Sequence, residues 1–204
     1  MSSIDIDSFI KGFSNSFPDY IEIPPWVIVG KIERMVQALI PRLPSLYKIE
    51  NGVAIHPSAI IETNVTLKGP AIVGENCFVG ANAYLRGGVF LGRGTKIGTS
   101  CEVKTTIIMN NSGIAHFNFI GDSIIGSHVN FEAGSITANH FNERVDKKIK
   151  VFFNSTEVDT NVEKFGALVG DNSKIGSNAV LSPGTILHPN SIVGRLELVD
   201  QSRH

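Results

Sequence analysis

A chain of 204 residues is long enough for one domain with a buried core and too short for a multidomain enzyme. Its 18 basic and 19 acidic residues give a net charge of −1, so no overall positive charge attracts nucleic acid or an anionic membrane. Charged residues make up only 18% of the chain and glycine accounts for 20 residues, which indicates a fold that uses glycine repeatedly.

The N-terminal region has no sign of a targeting or membrane segment. The opening MSSIDIDSFIKGF lacks the basic stretch and following apolar stretch of a secretory signal. No apolar run approaches the roughly 18 residues that span a bilayer. We therefore expect a cytoplasmic protein with no membrane partner, in which Cys77 and Cys101 stay reduced and serve packing.

Residues 1–52 are predicted to form a helical extension. Apolar residues recur at helical spacing over 30–40, and Pro41 and Pro44 end the predicted helix. We expect this helix to cap the first coil of the domain that follows or to pack on a neighbouring subunit. A stripe of three aromatic residues is expected to contact the core rather than a ligand: Phe9, Phe13 and Phe17.

From residue 53 onwards the chain repeats every six residues. Aliphatic side chains stand at nine successive positions: Ile55, Ile61, Leu67, Val73, Val79, Leu85, Leu91, Ile97 and Val103. An amphipathic helix repeats near 3.6 residues and a half-buried strand near 2, so a period of six indicates a solenoid of short strands. Three hexads close one coil, and glycine or asparagine is expected to relieve backbone strain where the chain turns.

The repeat is interrupted once. It continues with two steps shortened to five residues as far as Thr137, and resumes from Val169 to Val193. The polar stretch between, at about 140–165, is predicted to be a loop or hairpin that projects from the body. The predicted solenoid domain is therefore 53–199 with one insertion.

Positions 18 residues apart should lie above one another in such a solenoid, which stacks Lys68, Arg86 and Lys104 in one column. The column contains no acidic residue, and stacked like charges repel unless an anion lies between them. We therefore expect at least Arg86 and Lys104 to hold an anionic group such as a phosphate.

Histidines supply the candidate general base. His116 follows Lys104 by twelve residues, in a segment where the repeat shifts from six to five, and a histidine can accept protons near neutral pH. His116, His128 and His140 recur every twelve residues, which raises a metal site as an alternative. Because a coil takes eighteen residues, twelve-residue steps place these histidines on different faces, so no metal is expected.

Several stretches carry a family resemblance. The hexads match hexapeptide-repeat proteins, and TLKGPAIVGENCFVGANAYLRGGVFLG, GIAHFNFIGDSIIGSHVNFEAGSITAN and EKFGALVGDNSKIG resemble the acetyltransferase domain of bifunctional N-acetylglucosamine-1-phosphate uridylyltransferases. The C-terminal domains of sugar-1-phosphate nucleotidylyltransferases are similar. The resemblance implies an all-β fold, a left-handed parallel β-helix with triangular coils.

The resemblance also implies roles on the acceptor side. Arg86 and Lys104 match residues that grip a sugar phosphate, and His116 matches the base that deprotonates the amino group. Asn130 matches an asparagine that contacts the sugar. Phe119 belongs to the same substrate site but stands where the family usually has tyrosine.

On the donor side, Asn139 matches a catalytic asparagine that orients the histidine or the acetyl donor. Ser177, Lys164 and Arg195 are assigned by the resemblance to the acetyl-CoA site. Glu132 departs from the family pattern, because a glycine is usual there.

The sequence thus predicts transfer of an acetyl group from acetyl-CoA to the amine of an amino sugar phosphate such as glucosamine 1-phosphate. The resemblance further implies a homotrimer with sites between subunits and no essential metal. One alternative is a non-catalytic solenoid that binds sugar phosphates or nucleotide sugars or assembles a separate enzyme. A zinc carbonic anhydrase-like protein is the third reading.

Overall fold

The computed structural model describes residues 4–201 and consists mainly of short strands. The helices are α1 Phe13–Ser16, α2 Pro25–Val29 and α3 Ile32–Leu39, with 3-10 turns at Ile6–Ser8, Pro18–Tyr20 and Ile40–Arg42. The strands before the insertion are β1 Lys48–Glu50, β2 Val53–Ile55, β3 Ile60–Ile61, β4 Thr66–Leu67, β5 Ala71–Val73, β6 Phe78–Val79, β7 Tyr84–Leu91, β8 Lys96–Ile97, β9 Glu102–Ile108, β10 Gly113–Ile114, β11 Phe119–Ile125, β12 Asn130–Phe131 and β13 Ile136–Thr137. The remaining strands are β14 Lys150–Phe153, β15 Thr156–Asp159, β16 Ala167–Val169, β17 Lys174–Ile175, β18 Val180–Leu181, β19 Thr185–Leu187, β20 Ile192–Val193 and β21 Leu198–Val199.

The strands stack into three parallel ladders, as the period of six predicts. The first face contains β2, β5, the second halves of β7, β9 and β11, then β16 and β19. The second face contains β3, β6, β8, β10, β12, β17 and β20. The third contains β4, the first halves of β7, β9 and β11, then β13, β18 and β21. The solenoid prediction is confirmed.

The repeated aliphatic side chains fill the interior of the coils. Val73, Val79 and Leu85 come from the three faces of one coil and are completely buried. Cys77 and Cys101 are free and buried in the same core, consistent with a packing role. Burial raises the pKa of the Cys77 thiol to about 11.

Asparagine and glycine, both predicted to relieve strain where the chain turns, are found at positions with different requirements. Asparagine is the commonest residue at positions with left-handed backbone, for example Asn76 and Asn82, and glycines such as Gly94 take others. Gly98, which follows an inward aliphatic residue, does not have a positive φ. A Cβ on Gly98 would lie 2.0 Å from the carbonyl oxygen of Ala115 in the next coil. This glycine is required by the close approach of stacked backbones.

The shortened steps of the repeat lie at one corner of the triangle. In β7 the corner between the third and first faces takes two glycines, Gly87 and Gly88, and the pairing with β9 shifts there. In β9 and β11 the same corner is turned by one left-handed residue each, Thr105 and Asp122. The shortened step of the repeat predicted in the segment containing His116 therefore lies at Asp122, six residues after this histidine.

The N-terminal extension covers the first face of its own solenoid. Phe9, Phe13 and Phe17 are buried, so the expected core contact is confirmed. Helix α3 packs across β5, β7 and β9, and Gly88 allows the backbone of Glu33 to approach β7. The expectation that this helix caps the first coil is wrong, because outward-facing apolar side chains of the first face, such as Ile72, bind it laterally.

The insertion contains a hairpin of β14 and β15, but the hairpin does not project freely. Ile149 and Val151 are fully buried, and β14 lies against β19 on the first face. The apolar alternation within KIKVFF gives β14 one buried side, so the insertion folds back. Within residues 4–201 no helix is long and apolar enough to cross a membrane.

Replacing Gly98 by alanine tests the stacking constraint. We expect Gly98→Ala to lower the free energy of unfolding by about 1–3 kcal/mol, because backbone must move to admit the methyl group. Gly113→Ala is the matched control on the same face, since its Cβ would meet only the Asn130 side chain, at 3.2 Å. Urea denaturation of both variants measures the difference, and equal unfolding midpoints would contradict the account.

Candidate functional site

A cleft of about 360 Å³ opens on the third face, near its corner with the first. Strand pairing places Arg86 of β7 directly beside Lys104 of β9, so the predicted adjacency of these cations is confirmed. The cleft is lined by Arg86, Lys104, Phe119, Asn139, His140 and Lys164.

Two of the cations already have carboxylate partners. Arg86 Nη2 lies 2.6 Å from Glu102 Oε1, and Lys104 Nζ lies 2.5 Å from Asp122 Oδ2. The second pair is well shielded, with side-chain exposures of 16% and 6%. The column itself lacks acidic residues, but neighbouring positions supply them, so the premise that stacked cations need an external anion is wrong.

Tyr84 adds an aromatic contact to the column. Lys68 Nζ lies 5.2 Å and Arg86 Cζ 5.7 Å from the centre of its ring, within the range of cation–π attraction. Lys68 is outside the set of residues that line the cleft. Lys68 and Arg86 therefore share one aromatic partner, but only Arg86 faces the cleft.

Lys164 gives the cleft its excess positive charge. It reaches the cleft after the chain returns from the insertion, and within residues 4–201 it forms no ion pair. Arg86, Lys104 and Lys164 supply three positive charges, and Glu102 and Asp122 supply two negative ones, which leaves a balance of +1. The resemblance grouped Lys164 with Ser177 and Arg195, but the structure places it beside Arg86 and Lys104.

A hydrogen-bonded chain runs along one wall of the cleft. Lys104 donates to Asp122 at 2.5 Å, the amide nitrogen of buried Asn139 donates to the same carboxylate oxygen, and Asn139 Oδ1 lies 3.1 Å from His140 Nδ1. A carboxylate paired with lysine only accepts, so it fixes the orientation of the Asn139 amide. Asn139 thus orients a histidine, although its partner is His140 and not His116.

His116 lies at the preceding corner of the same coil, outside the residues that line the cleft. It is exposed, and within the described part of the chain its ring forms no hydrogen bond. Gly98 in the previous coil leaves room for this ring, because a Cβ there would lie 3.0 Å from His116 Nδ1. Phe119 is three positions after His116, so their Cα atoms are at most about 11 Å apart, the length of a fully extended backbone.

A second cavity of about 440 Å³ lies on the second face. Glu132 accepts hydrogen bonds from Arg195 Nε at 2.9 Å and from the backbone and hydroxyl of Ser177 at 2.9 and 3.1 Å. The hydrogen bonds from Arg195 and Ser177 lower the pKa of Glu132 to about 2. The structure thus brings Ser177 and Arg195 together, and Asn130 lines this cavity instead of the cleft.

The histidines of the metal alternative do not converge. His128 lines a separate depression on the second face, His140 lines the cleft, and His116 lies at a corner. Among residues 4–201 there is no group of three His, Cys, Asp or Glu side chains placed to hold a metal ion.

Sequence reasoning missed His140 as a residue that lines the cleft and Asp122 as the buried partner of Lys104. Asp122 follows directly from strand pairing, since Gly121 lies beside Lys104 in the ladder and the one-residue corner turns its neighbour towards that lysine. The position of His140 depends on how the chain leaves β13 into the insertion, for which the six-residue period gives no signal.

Comparisons with known proteins agree with this architecture. Family models describe a GMPPB C-terminal domain over residues 67–163 and a hexapeptide repeat of succinyl-transferase over residues 166–194. The bifunctional protein GlmU of Methanococcus vannielii is 39% identical over 184 residues, covering 87% of this chain and 43% of that protein.

One further relative and one solved structure extend the comparison. A bifunctional sugar-1-phosphate nucleotidylyltransferase/acetyltransferase of Sulfurisphaera tokodaii is 35% identical over 103 residues, covering 47% of this chain and 25% of that protein. A crystal structure of a putative acetyltransferase from Bacillus cereus superposes with a TM-score of 0.53 at 19% identity, covering 69% of this chain and 71% of that one. The chain spans less than half the length of the curated relatives it matches.

The Glu132 cluster predicts a dependence of stability on pH. Because the folded-state pKa of Glu132 is about 2 and its ordinary value is 4.5, its contribution is present above pH 4.5 and is lost as the pH falls towards 2. We expect Glu132→Gln to lower the thermal midpoint at pH 7 and to match the unmodified protein near pH 2. Glu163→Gln, at an exposed position without an ion pair among the described residues, is the control; a pH-independent gap for Glu132→Gln would contradict the assignment.

Proposed function

Because this chain belongs to the hexapeptide-repeat family and folds as a left-handed parallel β-helix, we propose that it transfers an acetyl group from acetyl-CoA to the amine of an amino sugar phosphate. Glucosamine 1-phosphate is the acceptor we favour. The observation that carries the proposal is the cleft in which Arg86, Lys104 and Lys164 converge. The Sulfurisphaera relative is named as an acetyltransferase, which supports the reaction class.

Charge complementarity supports the acceptor. A phosphate monoester carries up to two negative charges at neutral pH and an ammonium group carries one positive charge, so an amino sugar phosphate can reach a net charge of −1. The cleft offers a balance of +1 from its three cations and two carboxylates. Arginine and lysine together suit a phosphate, since arginine binds oxygens with two parallel donors and lysine acts as a point charge.

We place the phosphate against Arg86, Lys104 and Lys164 and the sugar ring over Phe119, with its amine towards His116. The ring of Phe119 offers an apolar surface between these ends. His116 takes a proton from the amine as its nitrogen attacks the thioester carbonyl, backbone N–H groups stabilise the oxyanion, and the departing thiolate receives the proton from His116. A C–N bond forms and a C–S bond breaks.

The donor is placed on the second face, where Arg195 lines the larger cavity and Ser177 is hydrogen-bonded to Glu132 of the same cavity. The acceptor cleft and this cavity lie on different faces of one chain. We therefore include in the proposal a homotrimer, in which a neighbouring subunit contributes the donor surface to each site. No metal has a role in this scheme. Use of acetyl-CoA and buried free thiols favour the cytoplasm.

A second candidate is a solenoid that binds a sugar phosphate without acyl transfer. The observation that favours it is the carboxylate of Glu132, which already accepts hydrogen bonds from both Arg195 and Ser177. A donor with phosphate groups would have to compete with this carboxylate for Arg195.

An assay of thiol release tests the acetyl transfer. With acetyl-CoA and glucosamine 1-phosphate, we expect His116→Ala to lower kcat by about 10²–10⁴-fold, the usual contribution of a general base. We expect Arg86→Met to raise KM for the sugar phosphate about tenfold or more, because a charged hydrogen bond is lost. Thiol release unaffected by His116→Ala would contradict the role of this histidine.

A thermal-shift screen distinguishes the two candidates. The enzyme should be stabilised by both glucosamine 1-phosphate and CoA, since each ligand binds the folded state. Stabilisation by the sugar phosphate alone, with no thiol release, would favour the binding protein. Lys174→Met, a change on the second face that leaves the third-face cleft intact, should not alter the shift caused by the sugar phosphate.

A further inference from the structure

Two of the side chains that line the cleft, Asn139 and His140, have no role in the scheme above. His140 lines the cleft together with the three cations and is exposed. Its Nδ1 lies 3.1 Å from Asn139 Oδ1, an amide oxygen that can only accept. Nδ1 must therefore carry the proton in this contact, and in an imidazole whose one proton is on Nδ1 the other nitrogen, Nε2, is an acceptor.

The orientation of His140 is set by partners farther from the cleft surface. The amide nitrogen of Asn139 donates to Asp122, whose carboxylate also accepts from Lys104. Asn139 and Asp122 are buried, so rotation of the amide would turn its oxygen towards the carboxylate and leave two buried acceptors facing each other with no hydrogen between them. The hydrogen bonds from Lys104 through Asp122 and Asn139 to His140 therefore determine that Nδ1 is bonded to the protein and that Nε2 is left for a ligand.

The other groups that can bond a ligand in this cleft are mainly donors. Arg86, Lys104 and Lys164 offer only N–H groups, and the oxygen of Asn139 is already used. Within residues 4–201, His140 Nε2 has no protein partner. It is an acceptor beside an anion-binding cluster, so it suits a ligand that carries a hydroxyl group next to its anionic group.

We propose that His140 is a specificity-determining residue that accepts a hydrogen bond at Nε2 from a ring hydroxyl of the phosphorylated acceptor. This inference rests on the proposed function for the identity of the ligand. It gives the two histidines different roles: His116 exchanges the proton of the amine, and His140 recognises the sugar. Bare inorganic phosphate, without a sugar, gains nothing from His140.

Two amide substitutions separate recognition from a structural role. In His140→Asn the shorter amide can keep the bond to Asn139 but has no atom at the position of Nε2. In His140→Gln the longer amide can place an oxygen where Nε2 was. We expect His140→Asn to raise KM for glucosamine 1-phosphate about tenfold with kcat within about twofold, and His140→Gln to stay within about threefold of the unmodified protein.

Inorganic phosphate and a control variant complete the test. Inhibition by inorganic phosphate should be unchanged in both variants, and His128→Asn, which makes the same change on the second face, should keep the KM of the unmodified protein. The reverse order, with His140→Asn intact and His140→Gln impaired, would show that His140 acts only through Asn139 and would overturn the proposal. A fall in kcat at constant KM would overturn it as well.

Calorimetric binding of glucosamine 1-phosphate separates this inference from the proposed reaction. If the unmodified protein binds the sugar phosphate but releases no thiol, acetyl transfer is refuted. A tenfold weaker binding by His140→Asn would then still support recognition by His140. Equal affinities of the unmodified protein and His140→Asn, or no binding by either, would overturn the inference.

Discussion

Close stacking of successive coils is the constraint on which this structure depends. Each strand of the three ladders pairs in parallel with the strand one coil away, and backbones approach so closely that Gly98 has no room for a Cβ. Stacking fixes the neighbours of every outward side chain, because a residue lies beside its counterpart one coil along the sequence. The ladder of inward aliphatic side chains holds that register, since a slip would turn them outward. The pairing of Arg86 with Lys104 is a consequence of this stacking.

The corner between the third and first faces converts that regular scaffold into a site. Turning the corner with one left-handed residue brings Asp122 to Lys104 and Asn139 to Asp122. Removing one member of a buried ion pair costs about 3–5 kcal/mol, so this pair ties the cation to the scaffold. The cation is held in place before a ligand arrives, and Lys164 supplies the positive charge that the carboxylates do not cancel.

The features that can be predicted from the sequence are those that depend on the six-residue period. Counting by hexads is sufficient for the solenoid, the buried core and the neighbouring positions of Arg86 and Lys104, because each depends only on stacking. It does not find His140 and Lys164 together, since a hairpin separates them along the chain and tertiary contacts bring its ends to one cleft. The lateral packing of α3 had a signal in the outward aliphatic residues Ile72 and Ile107, which a solvent-exposed face would not carry.

A crystal structure with glucosamine 1-phosphate tests the central claim most directly, namely that the third-face cleft is the acceptor site. The account predicts phosphate oxygens within hydrogen-bond distance, about 2.7–3.2 Å, of Arg86, Lys104 and Lys164, with the amine directed towards His116. A sugar phosphate bound at the second-face cavity beside Glu132 and Arg195, with the third-face cleft unchanged, would contradict it.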